Sequence, residues 1–292
     1  MNTSKIIQAG EIAKQVKTYA KTIVKKDIPL LELAEKIESK IIELGGKSAF
    51  PCNLSINNIA AHYTPSHDDQ TLAHGLLKVD FGVHVDGWIA DNAFSVDLEN
   101  SQENKKLIEA AEAALEVAEK NFKEGEFLNK IGSLVEEKIE SLKFSPIINL
   151  SGHEIAQYDL HAGVTVPNIN DGKKIPIKKG LYAIEPFVTT GSGRVHDGKP
   201  SGIYQLKIDK NVRSPIAREI LDYIAKEYKT LPFCSRWLVK KIGTKTLFGL
   251  KQLEENGNLH QFPQLVEKEG SKVSQAENTV LVEKDSIKVI SR

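Results

Sequence analysis

Val79-Asp80-Phe81-Gly82-Val83-His84-Val85-Asp86-Gly87-Trp88-Ile89-Ala90-Asp91 reads as a β-hairpin that turns at Asp86-Gly87, a dipeptide suited to the positive φ angles of a type I′ turn. With a two-residue loop, facing positions sum to 173, so Asp80 faces Ala93 and Gly82 faces Asp91. Asp80 and Asp91 are then diagonal neighbours on one face, roughly 7–8 Å apart at their backbones. Two carboxylates aimed at one spot repel and lose hydration unless a cation lies between them, and oxygen ligands suit hard divalent ions. A solvated strand face also accounts for a lone Asp pair, and Asp86 is explained by the turn alone. Other groups elsewhere in the chain must decide between these readings.

Outward from the hairpin, the chain alternates helical and extended patterns. Residues 4–25 carry Ile6, Ile12, Val16, Tyr19 and Ile23 on one helical face. Asp27 is placed to cap a second helix, with Pro29 in its first turn, Leu30, Leu33, Ala34, Ile37 and Ile41 along its face, and Gly45-Gly46 at its end. Strands are expected from about Ile56 to Asp97, then helices over Ser101–Phe122 and Leu128–Leu142, then strands bearing His153 and Glu185. A helix pair followed by strands, twice over, predicts two similar halves. Residues 214–259 break the rhythm: Ser214-Pro215 starts one helix and another is expected over about Thr244–Asn256, with Trp237 and Phe248 as the core of an inserted lobe.

Composition narrows the function classes. The 292 residues balance 39 Lys+Arg against 39 Asp+Glu, so no global basic field draws in nucleic acid or an anionic membrane. Cys52 and Cys234 lack CxxC spacing and suit a reducing compartment. The first residues run straight into an amphipathic pattern, and no stretch of ~18 apolar residues occurs, so the expectation is a soluble cytoplasmic protein.

In Ser151-Gly152-His153-Glu154-Ile155-Ala156-Gln157 the zinc-protease pattern HExxH fails, because Gln157 stands where the second His is needed. His153 and His161 are instead an even number apart, which lets both point one way on an extended or hairpin path; a satisfied structural histidine is the other reading. Glu185, after Leu181-Tyr182-Ala183-Ile184, and Glu277, before an apolar run, are charged groups that need either solvent or a partner such as a metal.

Five stretches occur in order: Asn57-Asn58-Ile59-Ala60-Ala61-His62-Tyr63-Thr64-Pro65, Asp80 to Asp91, Gly152-His153 through His161-Ala162-Gly163, Ala183-Ile184-Glu185-Pro186 and Gln275-Ala276-Glu277. Together with Phe233-Cys234-Ser235-Arg236-Trp237 they closely resemble the type 2 methionine aminopeptidases, of archaeal rather than eukaryotic kind, over essentially the whole chain. The resemblance implies an α+β pita-bread fold, with two pseudo-symmetric halves around a curved antiparallel sheet. It also implies one catalytic domain over 1–292 with a helical insert at 205–265.

As a metalloenzyme reading, the resemblance implies two divalent ions (Co2+, Mn2+, Fe2+ or Zn2+). Asp80 would chelate one, His153 and Glu185 the other, and Asp91 and Glu277 both. A metal-activated water would attack the carbonyl of an N-terminal methionine, with Glu185 as proton shuttle and His62 and His161 contacting the scissile amide. Phe50, Leu160, Phe187, Phe262 and Ala276 would line the methionine slot, and small second residues would be accepted on steric grounds. His67, His74, His84, His196 and His260 match no ligand position. Implied partners are nascent polypeptides, with transient ribosome contact. The lysine stretches at 21–26 and 173–179 suit ribosomal RNA, though a solvated face is the favoured reading of both. Neither membrane nor specific DNA is implied, and the protein is expected to be monomeric. The rivals are a prolidase or aminopeptidase P, which shares the ligand set but carries an extra N-terminal domain, and a non-catalytic binding protein of the same fold, in which ligands are typically lost.

Overall fold

The computed structural model describes residues 1–284 and 286–292. The chain runs α1 (Thr3–Ile23), α2 (Leu30–Glu43), β1 (Lys47–Ile56), β2 (Ile59–Ala61), β3 (Leu76–Val85), β4 (Trp88–Asp97), α3 (Gln102–Asn121), α4 (Leu128–Ser141), β5 (Ser145–Pro146), β6 (Ser151–Ile155) and β7 (Thr165–Pro167). It continues β8 (Gly180–Ile184), β9 (Phe187–Thr189), β10 (His196–Leu206), α5 (Pro215–Glu227), β11 (Phe233–Cys234), α6 (Ser235–Ile242), α7 (Lys245–Glu255), β12 (Leu259–Val266), β13 (Val273–Gln275), β14 (Asn278–Glu283) and β15 (Ser286–Val289).

Two helix-covered sheets form the halves. In the first, α1 and α2 bury Ile6, Val16, Leu33 and Ile37 against the antiparallel sheet β1-β3-β4. In the second, α3 and α4 bury Leu107, Ala114, Ile131 and Val135 beside Tyr182, Val280 and Val282 of the sheet β15-β14-β8-β6-β7. The halves join where Ala93 and Glu277 exchange backbone hydrogen bonds and where the Thr279 hydroxyl accepts from Asp91 N at 2.7 Å. The result is a mixed α and β protein with a curled antiparallel sheet.

Some local expectations change. Asp27 does not cap α2: it adopts φ 64° in a turn, and Pro29 is the residue that precedes the helix. Strand structure begins at Lys47 rather than Ile56. Residues 49–56 are buried on both faces, so they lack alternation, and Pro51 sits where the β1–β3 register shifts between Phe50 and Asn53.

Between β10 and β12, helices α5, α6 and α7 enclose their own apolar cluster, including Ile220, Leu238 and Leu253. The short α6 escapes sequence reading, and Phe248 is 62 % exposed rather than core, because Thr246, Gly249, Leu250 and Leu253 form the inward face of α7. This lobe is fastened to the first half by a buried ion pair. Arg236 of α6 donates through Nη1 and Nη2 to Glu38 of α2 at 2.7 and 2.8 Å, and through Nε to Pro65 O at 3.0 Å. Trp237 Nε1 and Cys52 N also donate to the Glu38 carboxylate.

Removing one partner of a buried pair leaves the other charge uncompensated. Glu38→Ala should therefore cost about 3–5 kcal/mol of stability, whereas the apolar pair Glu38→Met with Arg236→Met should recover much of that loss. Denaturant titration followed by Trp fluorescence reads both variants. Equal stability of Glu38→Ala and the parent would remove the ion pair as the fastening.

Candidate metal centre

The hairpin has the register its turn dictates. Asp80 pairs with Ala93 and Gly82 with Asp91, while Asp86 and Gly87 take φ 50° and 80°. Gly82 also makes room for the slot, since a Cβ there would meet the Phe50 ring at 2.4 Å. His153 comes from β6, paired with Ala183 of β8, and the preceding Gly152 is required because a Cβ would lie 2.2 Å from Ala183 O. Glu185 follows β8 and Glu277 precedes β14, so both stand where a strand meets its connection.

These five residues converge. Asp91, His153 and Glu277 each offer a ligand atom within 4.8 Å of the others, and so do Asp80, Glu185 and Glu277. Glu277 is common to both trios. His153 Nε2 lies 3.6 Å from Asp91 Oδ2. The resemblance pairs Glu185 with His153, and here Glu185 also falls in a trio with Asp80 and Glu277. Gln275 lies among these three: its Nε2 donates to Glu185 Oε1 at 2.8 Å and lies 3.4 Å from Asp80 Oδ2 and from Glu277 Oε2, gathering three carboxylates around one amide. Ser95 Oγ fixes this residue by bonding both its N and its O.

Burial drives the electrostatics. It pushes Asp80 up to about 7, and it raises Asp91, Glu185 and Glu277 well above the carboxylate range, with their mutual repulsion adding to the effect. Burial lowers His153 to about 3 and His62 to about 4, so both imidazoles are neutral. Asp80 Oδ1, Glu277 Oε1 and His153 Nδ1 are buried without a hydrogen-bond partner among the described residues. Unsatisfied carboxylate oxygens beside a neutral imidazole fit divalent ions such as Mn2+, Fe2+, Co2+ or Zn2+.

Above this centre lies a cavity of about 480 Å3 whose walls include Phe50, Leu160, Phe187 and Phe262, with His62 and His161. His161 sits at its exposed rim, its ring centroid 4.3 Å from that of His153. His62, at φ 63°, directs Nδ1 to Pro263 O at 3.1 Å. In the neutral ring Nδ1 is then the donor and Nε2 an acceptor. Ala276 does not line the slot. It lies between Gln275 and Glu277, which face the centre, so the two-residue period turns it the other way into the α3–α4 core. Two residues were missed from sequence: Gln275, which the same period places beside Glu277, and Asn53, which faces Asp80 across β1–β3.

The sequence profile of metallopeptidase family M24 matches residues 4–284. This chain belongs to family M24. It is 47 % identical over 294 residues to a methionine aminopeptidase of Pyrococcus horikoshii, covering 99 % of each chain, and 41 % identical over 291 residues to one of Methanocaldococcus jannaschii, covering 99 % and 98 %. In fold it is similar to a thermophilic Arx1, with TM-score 0.83 and 16 % identity over 98 % of this chain and 90 % of that one. A prolidase from Pyrococcus furiosus superposes with TM-score 0.61 and 15 % identity over 99 % of this chain but only 63 % of its own length. Among the described residues, no helix is long and apolar enough to cross a membrane.

Raised carboxyl pKa values tie stability to pH. In metal-free protein the folded state keeps protons that the unfolded chain, titrating near 4, has already released, so stability falls as pH rises. The lowered histidines oppose this only below about 6.5. Lys78 and Lys17, buried and pushed down, Lys17 to about 8, oppose it with at most two protons against four carboxyls. Chelator-treated protein should therefore melt at a lower temperature at pH 8.0 than at pH 6.5, and Mn2+ or Co2+ should raise the melting temperature more at pH 8.0. A metal-free melting temperature that climbs over this interval would contradict the assignment.

Proposed function

We propose that this chain is an aminopeptidase that removes the initiator methionine from nascent proteins whose second residue is small, using two divalent ions held by Asp80, Asp91, His153, Glu185 and Glu277. The observation that carries this reading is the pair of trios sharing Glu277, whose other members Asp80, Asp91, His153 and Glu185 line a largely apolar cavity. When bound, the ions supply Lewis acidity that lowers the pKa of a shared water and polarises the substrate carbonyl. The chain's own groups do the rest.

Glu185, held by the Gln275 amide, takes the proton of the attacking water and passes it to the leaving amine. His62 and His161 divide the scissile amide between them. The neutral Nε2 of His62 accepts from the peptide N–H, and His161 donates to the oxygen that gains charge. Phe50, Leu160, Phe187 and Phe262 surround the flexible thioether and end the slot at one residue's depth, which excludes water and fixes the carbonyl over the centre. A bulky second residue would clash with the cavity wall. Residues 1–292 act as one catalytic domain, with 205–265 as its insert. The enzyme works as a cytoplasmic monomer that meets its substrates in passing at the ribosome.

Metal-reconstituted protein should cleave Met-Gly and Met-Ala peptides, reject Met-Leu, and leave Xaa-Pro peptides intact. Preference for Xaa-Pro would transfer the assignment to the prolidase branch. Glu277→Ala should lower activity at least about a hundredfold and reduce bound metal below two ions per chain, because it removes the shared ligand. His161→Ala should retain both ions while kcat drops by about 10²–10³, the usual cost of losing one oxyanion donor. Metal loss in His161→Ala would show that its role lies in the centre itself.

A further inference from the structure

Of the two histidines given to the scissile amide, His62 is oriented by its bond to Pro263 O, whereas the His161 ring has no hydrogen bond among the described residues and packs against His153. Its backbone must therefore place it, and the local ladder is poorly suited to that. His153 pairs with Thr165 and Ala156 with Asp159, so the returning arm spans 165 − 159 = 6 positions against 156 − 153 = 3 on the outgoing one. Residues 160–164, His161 among them, bow out of register like an enlarged bulge, which re-aims side chains but leaves the ladder interrupted.

What fixes this segment is the turn at its tip. Tyr158 holds φ 58°, a left-handed conformation that a bulky side chain keeps only where its surroundings over-determine it. Those surroundings come from two other parts of the chain. From the β3–β4 turn, Gly87 O accepts from Tyr158 N at 2.8 Å, Asp86 Oδ1 from the Tyr158 hydroxyl at 3.2 Å, and Asp86 O from Gln157 Nε2 at 2.8 Å. Gly87 is required there for a second reason, since a Cβ would collide with the Tyr158 ring. From the helical lobe, Thr230 Oγ1 donates to Tyr158 O, and Lys229 Nζ lies 3.6 Å from the centre of the ring as a cation–π partner. We propose that Tyr158 is a positioning residue for His161: clasped between the Asp86-Gly87 turn and the lobe, it holds the bowed segment so that His161 stays over the cavity. The lobe thereby acts on catalysis through the turn it grips. This assignment rests on the aminopeptidase reading above.

Metal-reconstituted parent, Tyr158→Ala, His161→Ala and the double variant form a cycle, read in kcat on saturating Met-Gly peptide and in bound metal. Tyr158→Ala should keep both ions and lower kcat on the order of ten- to a hundredfold, the scale of an ångström's misplacement, whereas in the His161→Ala background the same change should stay within about twofold. A merely structural role would cost the same factor in both backgrounds. That result, a parental kcat in Tyr158→Ala, or loss of an ion from it overturns the assignment. If Tyr158→Ala does not fold, Thr230→Val, which removes one bond of the clasp and keeps the shape, decides by the same comparison, with a loss of about three- to tenfold expected. A parent that fails to cleave Met-Gly, or a His161→Ala variant with parental kcat, brings down the reading of the site above and this assignment with it. Cleavage that depends on His161, with losses that multiply, brings down Tyr158 alone.

Discussion

Mutual repulsion among Asp80, Asp91, Glu185 and Glu277 is the constraint around which the rest of the molecule is arranged. Their oxygens lie within 4.8 Å of one another inside each trio, and at an effective dielectric of about 20 each like-charged pair at that distance costs on the order of 3 kcal/mol. No packing advantage offsets several such pairs. The rigid parts therefore meet here: a hairpin with a forced register, a glycine pressed against a carbonyl, and a backbone bridge between the two halves. Gln275 contributes a side-chain amide that points into the group, and its backbone is itself locked by Ser95.

The same logic extends to the histidines. Burial keeps the rings of His62 and His153 neutral, the state that the proposed coordination by one and acceptance by the other require. The bond from His62 Nδ1 to Pro263 O selects the tautomer, so a contact with β12 decides which chemistry the ring can perform over the cavity. β12 also returns the chain from the helical lobe that the Glu38–Arg236 pair fastens to the first half.

Much of the centre could be read from the chain before the structure. The Asp86-Gly87 turn allowed one register, and that register put Asp80 and Asp91 on a common face. His153 and His161 shared a side through their even spacing. What stayed hidden has physical reasons. Strand β1 is buried on both faces, so its start carries no alternation to detect. Gln275 is neutral and gives no charge signal, although counting back two from Glu277 would have placed it. Asn53 is visible only once β1 is known to pair with β3. The same counting argues against Ala276 as a slot residue, where family likeness and strand geometry disagree. Phe248 has the character of a core residue, but the inward face of α7 is made by smaller neighbours.

The bridge between Ala93 and Glu277 has a temporal consequence. Glu277 follows Asp80 by 277 − 80 = 197 residues, and it is the carboxylate common to both trios. On the proposed ligand set, a growing chain has no complete chelate until β14 is laid against β4, so catalytic competence would be acquired late, as a by-product of finishing the fold.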